Sequence, residues 1–209
     1  DNGVVAYTVM EYTQGPPQTD HGGGTGYTNG VDVHGGQNWE IRNNLFKNFH
    51  TPDSADNLWN PAVLMWRGAG NTLTENNVFI DCDRAIAYGL TGNTEAYSHQ
   101  GGIIRNNMIY YSPGLFSSSR SSSADAAIIV WDSPQTKVYH NTAVVNGNVP
   151  DFIQFRFRTN SAEARNNLSD AGIRARGGAI FTAEDNVTNL NAGWFVNPAA
   201  GNLSLTEEA

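Results

Sequence analysis

Six short phrases, each built on an asparagine followed by small or apolar residues, recur along the chain and constrain its fold more than any other feature. Three are near copies: Ile41-Arg42-Asn43-Asn44-Leu45-Phe46, Thr74-Glu75-Asn76-Asn77-Val78-Phe79 and Ile104-Arg105-Asn106-Asn107-Met108-Ile109. Three are looser: Val138-Tyr139-His140-Asn141-Thr142, Ala164-Arg165-Asn166-Asn167-Leu168 and Ala183-Glu184-Asp185-Asn186-Val187. Their final asparagines lie 33, 30, 34, 26 and 19 residues apart. Repetition at such a period marks stacked supersecondary units, each burying its apolar face against the next.

The residues between the phrases say what the unit is. Ahead of each phrase runs a β-branched or aromatic stretch: 30–34, 63–67, 85–88, 127–131, 152–158 and 172–176. Turn residues separate stretch from phrase, as in Gly35-Gly36-Gln37-Asn38, Gly68-Ala69-Gly70-Asn71 and Asp132-Ser133-Pro134-Gln135. No window shows helical spacing of apolar residues, so the chain reads as all-β, with two or three strands per repeat. Stacked repeats of this kind give three parallel sheets around an apolar column, with coils ~4.8 Å apart. A leucine-rich horseshoe would need a dense leucine pattern, and an antiparallel sandwich would not repeat the phrase. The expectation is a single parallel β-helix domain over residues 1–209, with about six to seven coils. The strand-like run 4–9 has nothing before it to cap a solenoid, which suggests that further coils precede Asp1.

The recurring asparagine is expected to serve the scaffold. It tolerates the left-handed backbone of a sharp corner, and its amide can bond the equivalent amide one coil along. Cys82, the one cysteine, is expected between coils as a buried thiol.

A net charge of −8 speaks against a binder that relies on neutralising nucleic-acid phosphates. No segment is apolar for long enough to cross a bilayer as a helix. Yet Arg156, Arg158, Arg165, Arg174 and Arg176 crowd one stretch of a chain that has only two lysines. Such a run is either a solvated face or a local anion site.

The coils carrying Arg-Asn-Asn or Glu-Asn-Asn resemble right-handed parallel β-helix proteins of the pectate-lyase-like superfamily. The ending Gly193-Trp194-Phe195-Val196-Asn197-Pro198-Ala199-Ala200-Gly201-Asn202-Leu203-Ser204-Leu205 is similar to the closing segment of many secreted bacterial members. The resemblance spans roughly residues 30–205 and implies an extracellular or cell-surface, carbohydrate-active protein. It does not choose among lyase, epimerase, hydrolase, phage depolymerase and structural solenoid.

Outward residues of successive coils form columns, and a groove along the axis suits an extended polymer. Counting ten back from the ladder asparagine places His34, Arg67, Trp131 and Phe157 in one column. Asp32-Val33-His34 sets a carboxylate and an imidazole on one face, where they can orient each other and move a proton. The motif partly resembles the Asp-Pro-His of mannuronan C5-epimerases, with Val33 in place of proline.

A uronate lyase or epimerase must neutralise the carboxylate beside the carbon that loses its proton. Arginine or calcium can do so by stabilising the developing enediolate. The expected catalytic set is therefore His34 and Tyr88 as candidate base and acid, with Asp32 paired to His34, and Arg67, Arg156 and Arg158 as neutralisers. Trp66 and Trp131 are expected to stack sugar rings, with Asp132, Arg174 and Arg176 as further substrate contacts. Each also has a plain reading, as packing or as an ion pair with the abundant carboxylates.

No polygalacturonase or pectate-lyase motif is complete, and no Cys/His cluster suggests zinc. Calcium at Asp53, Asp56 or Asp132 has no loop motif behind it. Gly22-Gly23-Gly24-Thr25-Gly26 lacks the Lys-Ser/Thr ending of a phosphate loop and reads as a corner. Ser117–Ser123 reads as an extended loop bordering the groove, and of the sequons at Asn167, Asn186 and Asn202 only the last escapes the ladder. Two accounts follow: an enzyme eliminating or epimerising an acidic polysaccharide, or a non-catalytic solenoid that binds polymer or associates end to end.

Overall fold

The computed structural model describes residues 2–13, 24–90, 95–207 and 209. Its strands stack into three parallel sheets of seven, six and six strands, with neighbours in each sheet drawn from successive coils. This is the parallel β-helix that the repeat predicts. The first sheet holds the strands that lead into the asparagine phrases, such as Glu40–Arg42 and Leu73–Glu75. The third holds the strands that follow them, such as Leu45–Lys47 and Val78–Ile80. The second sheet comprises Val31–His34, Pro61–Trp66, Arg84–Tyr88, Ala126–Trp131, Asp151–Arg156 and Gly172–Arg176.

Register follows from the apolar columns. Val31, Val63, Ile86, Ile128, Ile153 and Ile173 pair in sequence along the second sheet, as do Val33, Met65, Tyr88, Val130, Phe155 and Ala175. Most of these side chains are fully buried in the central column. From the third sheet Phe46 and Phe79 stack face to face at 4.9 Å in the same core. A one-residue slip would turn every such side chain outward, so burial fixes the register.

The asparagine ladder forms as expected and runs without a break through Asn44, Asn77, Asn107, Asn141, Asn167 and Asn186. One expectation needs correction. The left-handed residue at the corner is the one before the ladder asparagine: Asn43, Asn76, Asn106, His140, Asn166 and Asp185 have φ between 53° and 57°. The ladder asparagine supplies hydrogen bonds, while its predecessor takes the bend.

The closing segment folds back along the third sheet. Leu190, Phe195 and Leu203 bury against Ile80, Tyr110 and Val144. Cys82 is fully buried, and burial pushes its thiol pKa far up, so it is an inert core group. The serine run also differs from expectation: Ser118–Ser121 form a short helix capped by Ser117, and Arg120 points inward. Gly22 and Gly23 of the glycine run lie outside the described residues.

Candidate functional site

The outer face of the second sheet is the surface on which the expected site residues meet. Segments 48–60 and 111–125 precede its strands, and the segment after Tyr88 follows one of them. Along the strand ends the register aligns His34, Trp66, Gly89, Trp131, Arg156 and Arg176. The neighbouring column on that side is Asp32, Leu64, Ala87, Ile129, Gln154 and Arg174, of which the four between Asp32 and Arg174 are buried. At one coil spacing per step, His34 stands ~19 Å from Arg156 and ~24 Å from Arg176. The expected catalytic set is thus divided between the two ends of one column.

At the first end, four expected residues touch. Trp66 Nε1 donates to Asp32 Oδ1 at 2.8 Å, and His34 Nε2 lies 3.5 Å from the same oxygen. The His34 ring meets Trp66 edge-on at 4.9 Å, and the Arg67 guanidinium lies over the indole at 4.7 Å. Arg67 itself sits one residue beyond the column, in a left-handed corner with φ 55°. Phe157 is displaced in the same way, with φ 61°, so the column predicted by counting back needs Trp66 and Arg156 in their places.

Tyr88 does not reach this face. It is fully buried in the core, where its hydroxyl donates to the carbonyls of Thr72 and Ile103 and lies 2.9 Å from Thr74 Oγ1. Burial lifts its pKa far above the ordinary tyrosine value, which suits a packing residue rather than an acid in the groove.

Beside the first end, a pocket of about 250 Å³ opens between the sheet and segment 57–61. Tyr27, Trp66 and Trp59 supply its aromatic walls, Leu64 and Leu90 are apolar, and Asp32, Arg84, Asn29, Asn57 and Asn60 are polar. Sequence reasoning missed most of this lining. The key group is Arg84, whose Nε and Nη2 donate to Asp125 at 2.9 and 2.6 Å, while Nη1 donates to the Trp59 carbonyl at 2.5 Å. Asp125 lies 41 residues further on, a partner that only the coil stacking reveals.

Trp131 links the two ends. Its ring lies beneath the guanidinium groups of Arg84, at 5.1 Å, and Arg156, at 4.9 Å. Arg156 also covers Phe157 at 4.2 Å. Among the described residues, neither Arg156 nor Arg176 has a carboxylate within ion-pairing distance. Burial, together with the Arg176 charge, lowers the Arg156 pKa. The buried Trp131 Nε1, Gln154 Oε1 and Arg156 Nε all lack a hydrogen-bond partner.

No family model, curated protein or solved structure matches this chain.

The remaining arginines of the basic run are already committed. Arg158 grips Asp132 through Nε and Nη2 at 2.7 and 2.5 Å, and Asp132 Oδ2 also accepts from the Ser98 N–H at 3.0 Å. These contacts tie segment 95–98 to the corner after Trp131. Arg174 pairs with Asp151 at 2.7–2.8 Å. Arg165 lies on the first sheet, paired with Glu163 and Glu184, and faces away from the groove column. For calcium, the described residues contain no group of three or more acidic, histidine or cysteine side chains placed to hold a metal. Asp53, Asp56 and Asp132 instead bond to Arg120, Thr25 and Arg158.

Proposed function

We propose that this chain is an extracellular β-helix protein of the pectate-lyase-like type that binds an extended acidic polysaccharide along the outer face of its second sheet. The observation that carries this reading is the pair Arg156 and Arg176, aligned on successive coils with no carboxylate within ion-pairing distance among the described residues. Two like charges held a coil spacing apart repel each other, and an anion placed between them relieves that repulsion. They continue the line of the half-buried Trp66, and an aromatic face beside an arginine suits a sugar ring that carries a carboxylate. Trp131, buried beneath Arg84 and Arg156, packs there rather than stacking a sugar as the sequence suggested. Oligomers of polygalacturonate or alginate should bind, and Arg156→Glu with Arg176→Glu should abolish binding in affinity electrophoresis. Unchanged mobility shifts in that double variant would remove the basis of the reading.

Within this reading one place can support proton transfer. Asp32 holds His34 beside Trp66, and Arg67 lies on the same indole, so base and neutraliser sit around one stacking surface. β-Elimination there would create an unsaturated uronate with its own ultraviolet absorbance. C5-epimerisation would instead alter the ring stereochemistry seen by NMR. If His34→Ala changes neither readout while binding persists, the protein is a binding solenoid.

A structural role has its own observation. Among the described residues, no strand pairs with the outer edges of Gly172–Arg176 and Phe181–Glu184. Such edges can accept another chain. Analytical ultracentrifugation would reveal end-to-end assembly as concentration-dependent growth.

A further inference from the structure

The two ends of the column differ in chemistry, and the difference bears on the polymer. At the Arg156 end, unmatched guanidinium groups favour an anion. The pocket beside Trp66 has the opposite character. Its one arginine, Arg84, is neutralised by Asp125 through two hydrogen bonds and is 8% exposed. The unbalanced charge that remains in the lining is the Asp32 carboxylate, which Trp66 holds through Oδ1. A uronate carboxylate inside the pocket would meet Asp32 at close range. Among the described lining residues the one cation, Arg84, is already paired, and Arg67, which lies over the same indole, does not line the pocket. A hydroxyl, in contrast, can donate to that carboxylate. An uncharged ring can also lie against Tyr27 and Trp66 while its apolar edge covers Leu64 and Leu90.

The amides agree with this. Asn29 Nδ2 donates to the Pro61 carbonyl at 2.7 Å, and Asn60 Nδ2 donates to the Gly26 and Asn57 carbonyls at 2.6 and 2.9 Å. Both amide groups are held by backbone on their donor side. With those nitrogens engaged, what the two side chains have left to offer a ligand is chiefly acceptor oxygen, which again favours hydroxyl donors over carboxylate oxygens.

We propose that this pocket is a subsite for an uncharged sugar ring. The preferred ligand is then a heteropolysaccharide that combines neutral and acidic residues, rather than a homopolymer of uronate. The inference rests on the polysaccharide reading and deepens it. Trp66 and Arg156 stand three coils apart, ~14 Å, with the buried Gly89 and Trp131 between them, so a chain that places a neutral ring in the pocket reaches the arginines by passing over the residues that cover this stretch.

The test compares oligosaccharides of equal length by titration calorimetry. One arm is a panel alternating uronate with a neutral ring (hyaluronan, chondroitin and heparosan oligomers); the other is polygalacturonate and alginate. Tyr27 is 40% exposed, so Tyr27→Ala truncates the pocket wall with little risk to the core. At least one alternating polymer should bind roughly tenfold more tightly than either homopolymer, and Tyr27→Ala should erase that margin. Homopolymer affinity, governed by Arg156 and Arg176, should not change in the same variant. Homopolymers binding as tightly as every alternating polymer would overturn the subsite while leaving the acidic-polysaccharide reading intact. So would a margin that survives Tyr27→Ala. Absence of binding to any acidic polymer would overturn both.

Discussion

Asn107 sends both its backbone N–H and its side-chain amide to one atom, Oδ1 of Asn141, at 3.1 and 2.9 Å. Its own Oδ1 receives the same pair of bonds from Asn77, at 3.0 Å each, and its Nδ2 also reaches the Thr74 carbonyl at 3.0 Å. Every polar atom of this buried side chain is engaged. Asn107→Ala strands donors and acceptors on both adjacent coils, at a cost of about 3–5 kcal/mol. Asn106→Ala, next door, costs only the left-handed backbone strain, about 1–2 kcal/mol, and Asn106→Gly should be close to neutral. Urea midpoints for the three variants check this ordering, provided the m-values agree.

A second buried arrangement fixes the segments beside the pocket. The Arg120 side chain is 1% exposed, with Nη2 2.6 Å from Asp83 Oδ1 and Nη1 donating to the Thr51 carbonyl. Its guanidinium lies over Trp59 at 4.8 Å and Phe116 at 5.2 Å. Asp83 also binds His50 Nδ1 at 2.8 Å and the Thr51 N–H at 3.0 Å. Arg120→Ala leaves this carboxylate buried without its main cation, and should cost about 3–5 kcal/mol. Arg120→Lys should recover only part of the loss, because an ammonium cannot replace a planar group over two rings. Thermal unfolding should also show that Asp83→Asn combined with Arg120→Met is milder than the sum of the single changes.

Both arrangements illustrate what was legible in the sequence. The ladder was, because identical residues recur at one corner and must meet when coils stack. The position of Trp66 beside His34 was not. Ten residues separate His34 from Asn44, but eleven separate Trp66 from Asn77 and Arg156 from Asn167. One extra corner residue therefore shifted the count onto Arg67 and Phe157. Tyr88 was misplaced for another reason. A β-strand alternates faces, and no local signal shows that a tyrosine hydroxyl will find Thr72, Thr74 and Ile103 inside the core. Arg84 with Asp125, and Arg120 with Asp83, join segments from different coils. Their pairing depends on loop paths that composition does not specify.

His99 makes stability depend on pH. It is fully buried between Thr72 Oγ1 and Ser133 Oγ, at 3.1 and 2.9 Å, and burial lowers its pKa to about 3. In the unfolded chain the imidazole titrates near its ordinary value, ~6.5. Between these values the unfolded state binds the extra proton, so acid favours unfolding. The His99 contribution is complete above that ordinary value and is lost as pH falls toward about 3. From pH ~7 to ~4.5 the wild type should lose about 2–3 kcal/mol more than His99→Gln, whose amide can still bridge the two hydroxyls. Urea denaturation of both proteins at the two pH values measures the difference. Equal losses would show that His99 is not the group responsible.

The arginines of the basic run should separate by their partners. Arg158 and Arg174 are each held by a carboxylate, Asp132 and Asp151, and a polymer would have to compete with those bonds. Arg156 and Arg176 have no such competitor among the described residues. Arg156→Ala and Arg176→Ala should therefore each weaken polyuronate binding roughly tenfold, near the worth of one charge-assisted contact. Arg174→Ala should change it by less than about threefold, since the lost charge was already matched. Arg158→Ala should act mainly on segment 95–98, which Asp132 holds through the Ser98 N–H, and should show as faster amide exchange there. Calorimetry at two ionic strengths adds a check, because only the loss of Arg156 or Arg176 should flatten the salt dependence of binding. A uniform loss across all four variants would mean that the run acts as a diffuse basic patch, with no selection by ion pairing.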